Sequence, residues 1–426
     1  MANMDSARRL LTTKALRGYG DGFTALLLPV YLTGLGLDAF EVGLVATSAM
    51  LGSALLTLAV GLAGHRVSAR GLLMLSCLLM LLTGLAFSQA HSFWPLVIVA
   101  FVGTLNPSSG DVSVFVPLEQ ALMANAGSDA DRTTRFAMYN VVGAVGVALG
   151  ALSVGLIDPL TQLLSRPRSD VLEAAFVLYG LIGVAAFLIY RRLPTEAAEV
   201  SAQRTGLGPS RKQVFQLATL FSLDSFGGGF LVQSLLALWL FNRFDMSLVM
   251  AGTFFFWTGL LGAASQFLAG RVAGRIGLIN TMVFTHVPAN LCVMAAAFAP
   301  SLPVALGLLV VRAALSSMDV PARTSYVMAV VTPPERAAAA GITNVPRSLA
   351  AALSPALAGA LFTASVFPWP LLIGGGLKVL YDVLPLNQFR HVKPPEERSA
   401  ASRSSSLRMS MTSDATPPSS RMTLLQ

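Results

Sequence analysis

Apolar residues fill this chain in blocks near twenty long, separated by short polar or charged segments. A helix rises 1.5 Å per residue, so about 20 such residues cross a hydrocarbon core about 30 Å thick. Twelve blocks predict membrane helices near 16–37, 40–64, 71–90, 94–124, 134–157, 172–192, 214–241, 247–272, 278–299, 301–330, 337–363 and 367–387. The runs are continuous rather than alternating between apolar and polar, which argues against a membrane β-barrel. The pattern predicts an all-α polytopic membrane protein with an N-terminal six-helix bundle (1–192), a polar linker (193–213), a C-terminal six-helix bundle (214–387) and a disordered tail (388–426) rich in Ser, Pro and Arg.

One block breaks the pattern. "FWPLVIVAFVGTL" (93–105) runs straight into "NPSSGDVSVFVPLEQ" (106–120), which places Pro107, Asp111, Pro117 and Glu119 within a crossing. The same signature recurs 208 residues later, where "SSMDVPAR" (316–323) lies over "SSGDVSVF" (108–115). Other matches follow in order: "LAG" at 62–64 and 268–270, Asn140 with Asn344, Arg132 with Arg336, and "LIGVAAFLIYRRLP" (181–194) with "LIGGGLKVLYDVLP" (372–385). An ordered series at nearly constant spacing indicates two copies of a six-helix unit in the same orientation.

Composition agrees. The chain is 54% hydrophobic and 12% charged, against about 25% charged in soluble proteins. Its net charge of +8 reflects topology rather than nucleic-acid binding, because 22 of the 29 Lys and Arg fall on the side that carries both termini. Three, Arg166, Arg168 and Arg243, fall on the other. That asymmetry predicts cytoplasmic termini in a cell membrane, in a bacterium the inner one. Cys77 and Cys292 lie in apolar spans and imply neither disulfide nor metal site. The basic, then apolar N-terminus lacks a cleavage signal and is read as a retained first span.

At this level the chain resembles the major facilitator superfamily over residues 16–387. "GLAGHRVSAR" (61–70) keeps Gly61, Arg66 and Arg70 of that family's loop between spans 2 and 3, and departs from it at His65, Ser68 and Ala69. "LAGRVAGRIG" (268–277) is its counterpart after span 8. "LVVRAALSS" (309–317), with Arg312, is similar to the arginine motif the family places in span 4, where this chain has Thr104. "GVALGALSVG" (146–155) has the glycines but not the proline of the antiporter motif. The resemblance implies a secondary transporter.

A charge at the bilayer centre costs about 2.5–3.5 kcal/mol on insertion scales, so such groups face a bundle interior or a wet cavity. Asp21 lies on span 1, one turn beyond Arg17, and is read as a proton carrier or as the partner of Arg17. Asp224, beside Gly227–Gly229 on span 7, is read as its counterpart. Asp111 and Asp319 form the repeated pair; Asp111 is placed with the proton carriers, Asp319 with the cavity, and a cap or loop pairing is the alternative for both. Glu119 reads as a gate or a loop salt bridge. Arg323, placed with the cavity residues as suited to an organic anion, stands four residues after Asp319 and can neutralise it. Arg347 either binds an anionic solute or pairs with Asp319. Asn140 and Asn344 are expected in the cavity, and Arg17, Arg66, Arg132, Arg312 and Arg336 at gates or loops. Lys378 and Asp382 are expected to snorkel at the interface, and His286 to be an isolated structural histidine.

These features predict a transporter that moves a small organic solute by alternating access between the two halves, coupled to protons and exporting rather than importing. An uncoupled facilitator and a receptor or scaffold acting through the tail are the alternatives. Neither a P-loop, nor metal-ligand spacing, nor a nucleophile–base arrangement is visible, so no cofactor and no enzymatic activity are expected.

Overall fold

The computed structural model describes residues 2–63, 68–108, 113–125, 132–194, 208–320, 323, 326, 327, 331 and 335–389, and every regular element among them is helical. The first half comprises α1 (Ala2–Gly34), α2 (Ala39–Ala63), α3 (Ala69–Gln89), α4 (Phe93–Val102), α5 (Phe115–Asn125), α6 (Arg132–Ser153), α7 (Ile157–Leu164) and α8 (Arg168–Tyr190). The second comprises α9 (Arg211–Gly229), α10 (Gln233–Phe244), α11 (Leu248–Ile276), α12 (Leu278–Ala296), α13 (Leu302–Ser316), α14 (Arg336–Ala364) and α15 (Trp369–Phe389). Among the described residues eight spans are long and apolar enough to cross a membrane, and α4 and α13 are shorter apolar helices. Residues 195–207 of the expected linker and 390–426 of the tail lie outside the described residues.

Boundaries differ from expectation where tertiary contacts or side chains decide them. α1 begins at residue 2 rather than 16, because Leu10 and Thr13 are buried and give its first turns a packed face. The fourth span is two helices separated by residues 103–114. Pro107 has no N–H to donate, and the Asn106 side-chain oxygen Oδ1 accepts from Ser108 N and Oγ at 3.3 and 2.8 Å, a local bond that competes with the helix. The seventh span also breaks, between Gly229 and Gln233. These two breaks touch: Ser234 N donates to Pro107 O at 3.1 Å, joining the halves mid-molecule.

Small residues allow the close helix approach that lipid, as apolar as leucine, cannot drive. Gly143, Gly146 and Gly150 carry α6 onto α1: a Cβ at Gly150 would lie 2.0 Å from Tyr19 O, and one at Gly146 2.5 Å from Ala15 O. The "GAVGVALG" run (143–150) is thus helix packing.

The distribution of the core is uneven. One hydrophobic cluster spans both halves at the end remote from the termini, with Leu26–Leu28, Val42, Val45, Val154, Leu235–Leu240, Ala251, Ala352 and Ala358. There α2 packs on α14 and α6 on α11. Gly43 and Gly359 bring the first pair so close that a Cβ would meet Pro355 O at 2.4 Å or Ala39 O at 2.3 Å, and Phe40 N donates to Thr363 Oγ1 at 3.0 Å. Toward the termini the core divides. One cluster, including Leu10, Leu73, Phe115, Leu118 and Tyr190, belongs to the first half alone; another, including Val214, Phe221, Met282, Tyr326 and Tyr381, belongs to the second. The halves are sealed at the far end and part toward the face that carries the termini.

Candidate functional site

The cleft is marked by the repeated asparagines. Asn140 lies eleven residues before Ala151, whose carbonyl oxygen lies against Gly252 of α11. Asn344 stands eleven residues before Pro355, which meets Gly43 of α2. Eleven residues are close to three turns, so each asparagine continues the stripe that seals the halves farther along. Both are exposed. Arg347, one turn beyond Asn344, donates from Nε to Ser225 Oγ of α9 at 2.9 Å. Asp21, half-buried on α1, has the Asn106 amide of the broken fourth span as a hydrogen-bond partner. Beside that break, Ser234 Oγ and Gln233 Nε2 are buried without a hydrogen-bond partner among the described residues, a polar spot at the meeting point of the two broken spans.

Each half backs the cleft with a buried ionic cluster. In the first, the Glu119 carboxylate of α5 is fully buried and ion-paired with Arg17 of α1. It also accepts from Thr13 Oγ1 at 3.1 Å, Tyr139 OH of α6 at 2.5 Å and Tyr190 OH of α8. Arg17 lies 4.1 Å over the Phe115 ring, which covers the guanidinium's face. Arg17 therefore pairs with Glu119, 102 residues away, and Glu119 with a span rather than a loop. A carboxylate with this many donors ties four elements together.

In the second half, Asp224 of α9 accepts from Lys378 Nζ of α15 at 2.6 Å and from Arg323 Nη1 at 3.0 Å. Arg323 also pairs with Asp319 at 3.5 Å, as the four-residue spacing predicts. His286 of α12 has Nδ1 2.8 Å from Asp382 Oδ1 and Nε2 4.0 Å from Asp224 Oδ1. Lys378 and Asp382 are not interfacial snorkellers, and His286 is not isolated: all three sit inside the bundle. The glycines explain the lysine. A Cβ at Gly227 would lie 3.1 Å from Lys378 Cγ and one at Gly228 3.4 Å from its Cε, so the run keeps open the channel through which the side chain reaches Asp224. The usable signal was three ionisable side chains in apolar spans, each expensive to leave unpaired.

Not every expected residue joins these clusters. Arg312 of α13 is half-buried, with Nε lacking a hydrogen-bond partner among the described residues. Asp111 and Arg66 lie outside the described residues. Arg132 and Arg336 open α6 and α14, and their side chains lie outside the description. Arg70 Nη1, from the same loop motif as Arg66, donates to Leu193 O at 2.9 Å and fastens the start of α3 to the end of α8.

Comparison with known proteins matches this geometry to one family. A family model described as the Major Facilitator Superfamily matches residues 10–312. The uncharacterized membrane protein YJR124C of Saccharomyces cerevisiae is 23% identical over 405 residues, covering 87% of this chain and 90% of its own length. Among solved structures, the nucleoside transporter NupG superposes with a TM-score of 0.68 at 16% identity, over 91% of this chain and 99% of that one. The xylose transporter XylE from E. coli, in an inward open conformation, gives 0.67 at 13% identity, over 89% and 95%.

Proposed function

Because the chain belongs to the Major Facilitator Superfamily of membrane transporters, we propose that it moves a small organic solute through the cleft between residues 1–192 and 214–387, driven by protons. The observation that carries this reading is the divided core. One hydrophobic cluster joins the halves at the far end, while two separate clusters hold them apart toward the termini. Such a molecule can exchange one seal for another by rocking, which is what alternating access requires.

The basic residues gathered on the terminal side orient that face toward the cytoplasm, so the described conformation opens inward. Asp21 is the proton group of the first half: it borders the cleft, and its hydrogen-bond partner Asn106 is neutral, while the cationic Arg17 and Lys14 act on it from nearby. A deprotonated carboxylate favours the state in which water reaches it, and a neutral one crosses the closed form at lower cost. Arg347 and Ser225 recognise the solute from the opposite wall, the guanidinium selecting carboxylate or phosphate groups.

Proteoliposomes with an imposed pH gradient test this with uridine, D-xylose and benzoate as probes. A gradient-driven flux of at least one probe is expected, reduced tenfold or more by Asp21→Asn, with Arg347→Ala falling hardest on benzoate. Flux that ignores both the gradient and Asp21→Asn would overturn the proton role of Asp21.

A further inference from the structure

The second half's ionic cluster does not balance as it stands. Among the described residues, three buried carboxylates, Asp224, Asp319 and Asp382, face two permanent cations, Arg323 and Lys378. Asp224 and Asp382 both lie within 4.0 Å of His286, itself buried, and Arg323 and Lys378 reach it through Asp224. With a neutral imidazole the cluster carries one uncompensated negative charge away from water, an arrangement proteins avoid. One added proton removes it. The first half needs none: there Arg17 faces Glu119, and the remaining contacts to that carboxylate are neutral hydroxyls.

We propose that His286 and Asp382 together bind one exchangeable proton and form the proton site of the second half. The geometry limits where it can sit. Nδ1 lies 2.8 and 3.0 Å from the two Asp382 oxygens, and Nε2 faces Asp224. A neutral ring protonated only at Nδ1 would turn the Nε2 lone pair toward the Asp224 carboxylate. An imidazolium presents N–H groups to both carboxylates. A protonated Asp382 that donates to Nδ1, with the ring protonated at Nε2, does the same with the same total charge.

The other groups around the ring and its two carboxylates are accounted for. From α15 come Asp382, Lys378 and the Tyr381 ring, 6.3 Å away edge-on, its hydroxyl without a hydrogen-bond partner among the described residues. From α9 comes Asp224. From the segment after α13 come Arg323 and Asp319, and from α12 itself Asn290, whose Nδ2 is 3.4 Å from Asp382 Oδ2. The ionisable residue of α13 is Arg312, and those of α11 are the exposed Arg271 and Arg275. Asp224 is followed in sequence by Ser225, the partner of Arg347 in the cleft. Loss of the proton therefore changes the charge set against Asp224, the chain neighbour of the solute's wall.

The coupling role rests on the proton-driven reading above, but the proton itself does not, so the two fail separately. The test uses the full chain with His65, His91 and His391 replaced by Gln, which leaves His286 as the single histidine. The ring nitrogens are 15N-labelled and observed by NMR in lipid nanodiscs at pH 7. The proposal expects both nitrogens protonated, or Nε2 alone together with an infrared carboxylic-acid band that Asp382→Asn abolishes. A neutral ring protonated at Nδ1 alone, or at Nε2 alone without that band, overturns it. In proteoliposomes Asp382→Asn, which balances the cluster without the proton, should fold and lose at least tenfold of gradient-driven flux. Full proton-driven flux in that variant would leave the bound proton in place but remove it from coupling.

Discussion

A buried ion pair is strong only while complete, and the Arg17–Glu119 pair shows what that implies at a single residue. Removing one partner of a buried pair costs about 3–5 kcal/mol, because the other charge is left in a low dielectric. Arg17→Met should therefore lower the thermal denaturation midpoint in detergent sharply. Arg17→Met combined with Glu119→Gln should recover most of the loss, since the amide oxygen still accepts from Thr13 and Tyr190 and its NH2 can donate to the Tyr139 hydroxyl. A double variant as unstable as the single one would show that Arg17 acts through packing on Phe115 instead. That ionisable residues in these spans matter was legible from their cost in lipid. Which of them meet was not: Arg17 and Glu119 are 102 residues apart, Lys378 and Asp224 are 154. Sequence offers pairings one turn away, such as Arg17 with Asp21 or Lys378 with Asp382, and the fold replaced both with contacts across helices. Arg323 with Asp319 survived because its local geometry agrees with the tertiary one.

At the scale of elements, hydropathy placed the spans and proline or glycine placed the breaks. The start of α1 was hidden, because its first turns are held by contacts such as Arg9 Nη1 with Arg192 O rather than by an apolar run. Two predictions belong here. Gly150→Leu drives side-chain atoms into the Tyr19 carbonyl, where even a Cβ would lie 2.0 Å away. Overpacking costs about 1–3 kcal/mol, and separation of α1 from α6 should show as faster hydrogen exchange along α1. Thr47→Val is milder. Thr47 Oγ1 accepts from Ala356 N at 2.9 Å, just past Pro355 in α14, and so satisfies a donor at a proline-containing stretch of helix. Its loss should cost about 0.5–1.5 kcal/mol and loosen the far seal, read as labelling of a cysteine at Ala39 from the side opposite the termini. Unchanged labelling would place the seal elsewhere.

For the whole molecule, the repeat in the sequence foretold two halves, and the uneven core shows how they meet. Asn140 and Asn344 were found by their repeat spacing, and both are exposed on the helical stripes that seal the far end. Composition could not reveal which end would be closed, since residues such as Leu26, Val42 and Ala352 look no different from those facing lipid. Rocking of one half against the other is the claim on which the transport account stands. It is tested most directly by pulsed electron paramagnetic resonance on two spin-labelled pairs, with Cys77 and Cys292 replaced by Ser. One pair, Arg191→Cys with Arg275→Cys, spans the cleft at the terminal face; the other, Ser92→Cys with Ser301→Cys, spans the far face. On changing pH, the account predicts that the first distance shortens in a second population while the second lengthens in the same proportion. Both distances staying fixed, or moving in the same direction, would contradict it.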